Sequence, residues 1–277
     1  MKTSLHSALT SAAYGGAAAP AADDAVTSVS ALETALESLK TFDWGTGITI
    51  PEPGKPPEDA QVLAPIDDAV VAAQGDAAAL RALESRLAAV LGTGASRAAK
   101  DYVLRKLRII GTAESVPAIA PLLFDQDLSH MARYALERNS AAEAAAALRE
   151  ALPKLPGLLK AALIGSLGKR RDAGSTESLV PLLADADADV AAAAVAALGM
   201  IGTTAAAQAL TRCVQDGPAT TKAAAVDACL ACAEHLLADG QKAEAVAIYK
   251  SLLAADPPQH VRLAVTRGML VAAGKGD

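Results

Sequence analysis

A leucine returns at nearly constant intervals along this chain, at Leu107, Leu136, Leu167, Leu198 and Leu230, in steps of 29, 31, 31 and 32 residues. That period limits the fold more than any other feature of the sequence. Eight positions before the first four of these leucines stand Ala99, Leu128, Leu159 and Val190, apolar again and at a helical interval. The local wording repeats as well: Leu107 opens LRIIGT and Leu198 opens LGMIGT. Between copies lies a second recurring segment, beginning at Ser115 (SVPAIAPLLFDQD), at Ser178 (SLVPLLADAD) and, more diverged, at Ala205 (AAAQALTRCVQD). A two-helix unit of this kind buries its apolar face only against the next copy. The expected class is therefore all-α, an α-solenoid of stacked antiparallel helix pairs.

The stretch Asp187 to Thr203 (DADVAAAAVAALGMIGT) states the unit most clearly. Val190, Ala194, Ala197, Leu198 and Ile201 form one apolar, mostly small stripe. Asp187 or Asp189 is placed to accept from the free amides of the first turn, and Gly202 to take the left-handed conformation that ends the helix. Hydrophobic residues make up 52% of the chain but aromatics only 3%, so the apolar weight is Ala, Leu and Val. That balance favours close-packed helices over sheet.

An acidic turn followed by a valine, an alanine-leucine stripe and a closing G-x-I-G resembles the short HEAT-like repeats, including those called PBS-lyase HEAT-like. Asp185 to Gly202 carries the likeness best, and Arg97 to Asp216 carries it as about four units. The basic residue that the family places after the valine is present as Lys100, Lys160 and Arg262, whereas Ser129, Ala191 and Ala223 depart from it. From Cys229, CAEHLLADGQKAEAVAIYKSLLAADPP resembles a single tetratricopeptide unit, with Tyr249 as its packing aromatic and Pro257 at its close. The resemblance implies a general binding scaffold, not a chemistry. A pigment lyase or chaperone of the PBS-lyase HEAT-like kind is the fold-level analogy.

In chain order, residues 1–24 read as a flexible tail or trimmed remnant, since the small residues there form no solid apolar block of the kind a secretory signal needs. Residues 25–44 hold an amphipathic helix over Ala25 to Lys40, striped by Val26, Val29, Leu32, Leu36 and Leu39, with Ser30 and Glu33 spaced as a capping box. Phe42 and Trp44 come next, as anchors onto the array, with an exposed partner-binding anchor as the alternative. Residues 45–61 are a Pro/Gly-rich linker. Residues 62–216 form the HEAT-like array, opening with two helices over Val62 to Leu91, where Pro65 is expected in a first turn and Asp76 as a cap. Ser140 and Glu143 are spaced as another capping box, and Gly165 and Gly168 are expected to be close-packing points. Residues 217–277 hold the tetratricopeptide-like unit and a capping helix.

The net charge of −6 argues against bulk attraction to nucleic acid or to an anionic membrane. No uninterrupted apolar run long enough for a membrane span is visible. Against that acidic average, Arg97 to Arg108 is locally basic. If the recurring helices line the concave side, as in HEAT-like proteins, then Tyr102, Arg105 and Arg108 fall off the core stripe. His130, Tyr134 and Arg138 take similar places one repeat on, and Lys169 and Arg170 one further, where Arg171 follows them at the end of that helix. The expectation is a basic, aromatic-bearing strip that holds a protein partner, with nucleic acid or another polyanion as the alternative. Opposing it is a solvated helix face whose cations bridge to Asp101, Glu137 and other acids. Cys229 and Cys232 are spaced C-x-x-C, but on a helix and without a second pair, and read as buried small residues. The acids Asp185, Asp187 and Asp189 read as helix caps, not calcium ligands. No catalytic constellation, cofactor or metal is expected, and a cytoplasmic, non-enzymatic scaffold is the resulting reading.

Overall fold

A computed structural model of the chain describes residues 22–43, 58–255 and 257–275. Among the described residues it is helical throughout, with no strand. The first two pairs are α1 (Ala22–Ser38) with α2 (Glu58–Ala72), and α3 (Ala77–Leu91) with α4 (Arg97–Ile110). Then come α5 (Val116–Ile119) with α6 (Ser129–Arg138), α7 (Ala142–Ala151) with α8 (Gly157–Lys169), and α9 (Thr176–Leu179) with α10 (Ala188–Ile201). The C-terminal part holds α11 (Thr204–Asp216), α12 (Ala219–Ala238), α13 (Lys242–Ala254) and α14 (Gln259–Ala272).

The contacts sort these helices into two layers. From α4 onward each even-numbered helix packs on the next even one, through to α14, while odd-numbered elements cover them from the other side. Each pair thus leans on its neighbours, which is the solenoid architecture the period predicts. Leu107, Leu136, Leu167 and Leu198 are all buried at this inter-repeat seam, and Leu230 is partly buried against it.

The second segment of the repeat differs from expectation. In two copies it is not one continuous helix but a four-residue α-helix flanked by 3-10 turns, Ala113–Ser115 with Ala120–Phe124 around α5 and Ala173–Ser175 with Val180–Ala184 around α9. Pro117, Pro121 and Pro181 lack the amide that would continue an α-helical ladder, so the chain tightens into 3-10 geometry there.

Close approach fixes the spacing of the even layer at two points. A Cβ on Gly168 would lie 2.8 Å from Ala197 Cα and 2.7 Å from Met200 Cε, and one on Gly199 would lie 3.0 Å from Ala228 Cα. Gly165, in contrast, meets nothing within 4 Å, so it is not the packing point that the sequence suggests.

Several caps are as read. Asp187 Oδ1 accepts from the amides of Asp189 and Val190, Asp76 Oδ1 from those of Ala78 and Ala79, and Gly202 closes α10 at φ 67°. Others need correction. α1 begins at Ala22, so Ser30 and Glu33 lie inside it and form no capping box; Glu33 pairs with Arg86 of α3 instead. Pro65 sits within α2, not in its first turn. Ala141, not Ser140, precedes α7, and the amide of Ala141 donates to Asn139 Oδ1. Phe42 is buried and its carbonyl accepts from Ser96 Oγ, whereas Trp44 and residues 45–57 lie outside the described residues.

Candidate functional site

The eight residues of the anticipated strip lie on α4, on α6 and at the end of α8, three consecutive even helices. Four of them are exposed: Arg105, His130, Arg138 and Lys169. Arg105 Nε donates to Asp101 Oδ2 one turn back at 2.8 Å, and Lys169 Nζ lies 3.2 Å from Glu137 Oε1 on α6. His130 and Arg138 have no ion pair among the described residues; eight residues apart on α6, they stand about 12 Å from each other along the axis.

The other four do different work. Tyr102 is buried, only 7% exposed, where the sequence pattern put it off the core. Its hydroxyl donates to Asp67 Oδ1 at 2.8 Å and to the Leu63 carbonyl at 3.2 Å, which ties α4 to α2. Burial and the adjacent Asp67 carboxylate push its pKa upward. Lys106, inside the basic run, caps this arrangement, 4.7 Å from the Tyr102 ring centroid and paired to Asp67. Arg108 and Tyr134 are half-buried and face each other, the guanidinium carbon 4.1 Å from the ring centroid, so the pair is a cation–π contact between α4 and α6.

Arg170 turns inward. Its Nη1 donates to the carbonyls of Leu136 and Asn139 at the C-terminal end of α6, where the helix dipole favours a cation. Burial lowers its pKa despite Asp172 nearby. Four of the eight, Tyr102, Arg108, Tyr134 and Arg170, therefore serve to join helices rather than to meet solvent.

Sequence reasoning missed the polar ladder along the edge of the array. Glu84 is fully buried and its carboxylate accepts from the amide and hydroxyl of Thr112 and from the amide of Ser115. Asn139 Nδ2 donates to the Thr112 carbonyl at 2.7 Å, and Arg149 Nη1 bonds both oxygens of Asp172 at 2.7 and 2.9 Å. Arg133, half-buried, donates to the Ala162 carbonyl and Ser166 Oγ, while Ser166 donates to Glu137. A signal for one join, between Asn139 and Arg170, was present. Three residues after the first four recurring leucines stand Ile110, Asn139, Arg170 and Ile201. Two adjacent copies thus trade an apolar residue for a polar one, and those two bond to each other. One position later, Arg171 occupies the place of Gly202 and takes φ 50°, reaching Asp239 on the far side of α10 at 3.0 Å.

The titratable sulfurs offer no exposed nucleophile. Cys213, Cys229 and Cys232 are free and buried; burial raises the Cys229 thiol to about 12 and the Cys232 thiol to about 11. Asp185 and Asp187 are engaged in turn and cap hydrogen bonds, and no group of acids, histidines and cysteines among the described residues is placed to hold a metal ion. None of the described helices is long and apolar enough to cross a membrane.

Residues 145–230 match the family model for HEAT repeats. This stretch is a HEAT-repeat array. It runs from α7 into α12 and so contains the close approaches at Gly168 and Gly199, the Arg149–Asp172 pair and the capped α10. The HEAT match stops within α12, so the tetratricopeptide-like reading of the C-terminal segment rests on its residues alone. The HEAT array is a repeat-based framework for interactions, with its two layers exposing separate faces. A crystal structure of an engineered protein is similar over 87% of this chain and 97% of its own, at 18% identity and a TM-score of 0.30, a likeness too loose to carry an inference. No curated protein matches the chain.

Proposed function

We propose that the protein is a non-enzymatic scaffold whose even-helix face holds a protein partner through an acidic segment. The observation that carries this reading is the charge left over on that face. His130 and Arg138 are exposed without ion pairs among the described residues, and they are flanked by Arg105 and Lys169, whose acids are partners in exposed pairs. Exposed pairs of this kind contribute about 0–1 kcal/mol, so an incoming carboxylate can exchange with them at little cost. Arg108 on Tyr134 holds the two helices in register beneath.

A long polyanion is the weaker reading. Of the basic residues between Arg97 and Arg108, Arg97, Arg105 and Lys106 are each paired with an acid, leaving few cations to displace counterions. The test is affinity capture from the native source with the wild-type chain and with an Arg105→Glu, Arg138→Glu double variant. Partners with acidic segments should be recovered by the first and lost by the second, and duplex DNA should bind neither chain with a steep salt dependence. Equal capture by both chains would sink the proposal; steeply salt-dependent DNA binding by the wild type alone would replace it with the polyanion reading.

A further inference from the structure

The odd-numbered layer carries a groove that the proposed partner face does not use. It lies between α11 and α13, with a volume of about 530 Å³. One wall is Thr204, Ala207, Gln208, Thr211 and Arg212, the other Glu244, Ala247, Ile248 and Ser251, each a single stripe at helical spacing. Leu236 of α12 closes the floor. Both walls carry an alanine, Ala207 on α11 and Ala247 on α13, so neither fills the space between them.

The direction of the walls fixes the charge pattern. α11 and α13 are each joined to α12 by a short turn and run antiparallel to it, so they run the same way. Glu244 stands in the first turn of α13 and Arg212 in the last stretch of α11. The groove therefore has an acid at one end and a base at the other, separated by about two helical turns, or ~12 Å. Both side chains are exposed and neither makes an ion pair among the described residues.

We infer that this groove docks one amphipathic helix of a partner protein. That helix presents a stripe of small and medium apolar residues, with a basic residue at the Glu244 end and an acidic one two turns away at the Arg212 end. The walls are helix faces and present side-chain ridges, so an incoming ridge fits between them, whereas an extended strand would find no backbone edge to pair with. A compact small molecule would need enclosure and convergent polar groups. Here the charges sit at opposite ends and the groove is open.

The test uses the full chain and a fluorescein-labelled, alanine-rich helical peptide of about sixteen residues, with leucines at i, i+4, i+7 and with lysine and glutamate about two turns apart on its flank. Fluorescence anisotropy should show saturable binding that a scrambled-stripe peptide lacks. Ala247→Trp, an exposed helix position that fills the groove, should abolish it. Arg212→Glu should weaken it about tenfold, and a peptide with its glutamate changed to lysine should recover the loss. Circular dichroism should be unchanged in both variants. Absence of binding, binding indifferent to Ala247→Trp, or loss that the charge-swapped peptide fails to recover would each overturn the inference. So would a small anionic dye that saturates the groove while the peptide does not. Because the groove is in the odd layer, these results are independent of the Arg105 and Arg138 experiment.

Discussion

Gly165 and Gly168 share one helix and differ in what a methyl group would meet. Gly168→Ala drives a Cβ to 2.8 Å from Ala197 Cα, so a loss of about 1–3 kcal/mol is expected, whereas Gly165→Ala meets nothing within 4 Å and should gain about 0.5–1 kcal/mol from helix propensity. Urea unfolding midpoints of the two variants check both signs. Tyr249 is the second case: it is 1% exposed, its hydroxyl has no hydrogen-bond partner among the described residues, and Gly268 packs against the ring edge. Tyr249→Phe removes an unpartnered buried group and should raise the melting temperature, by the equivalent of about 1 kcal/mol. Neither contrast is visible in the sequence. The spacing marks Gly168 and Gly165 alike as helical glycines, because which face meets a neighbour depends on the crossing of two helices far apart in the chain.

At the scale of single helices, the apolar stripes and the main caps were legible because they are local. Asp76, Asp187 and Gly202 act within four residues of themselves, and Leu107, Leu136, Leu167 and Leu198 report their burial through their period. The polar joins were not, since each links residues about thirty positions apart and spacing alone does not pair them. Tyr102 was misplaced for this reason: its helix position points off the Val103 and Leu107 stripe, but α2 lies there to receive it. Glu84 stands one position beyond Leu83 and in line with Leu87, Ala88 and Leu91, a charge within a core stripe. Glu84→Ala strips four hydrogen bonds from the turn after α4 and should cost about 2–3 kcal/mol, read by thermal denaturation, with faster amide exchange at Thr112 and Ser115.

For the molecule as a whole, the repeat was legible and the working face only in part. Of the basic strip, the structure leaves Arg105, His130, Arg138 and Lys169 accessible and commits Arg170 to the last carbonyls of α6. The buried thiols give the array an alkaline limit. Their pKa is raised above the ordinary 9.0 to about 12 for Cys229 and about 11 for Cys232, so the unfolded chain ionises first. Stability from this source is complete below pH 9 and declines as pH rises through 11 to 12. Melting temperatures between pH 8 and 11 should fall less steeply in a Cys229→Ala, Cys232→Ala variant than in the parent. The Arg171–Asp239 ion pair has a mechanical meaning. It bridges the ends of α8 and α12 over the helix between them, so it acts as a stay across two successive joints. Bending or twisting of the array at α10 must stretch this tie, but with both side chains about half exposed it resists by no more than about 1 kcal/mol and leaves the joint free to yield.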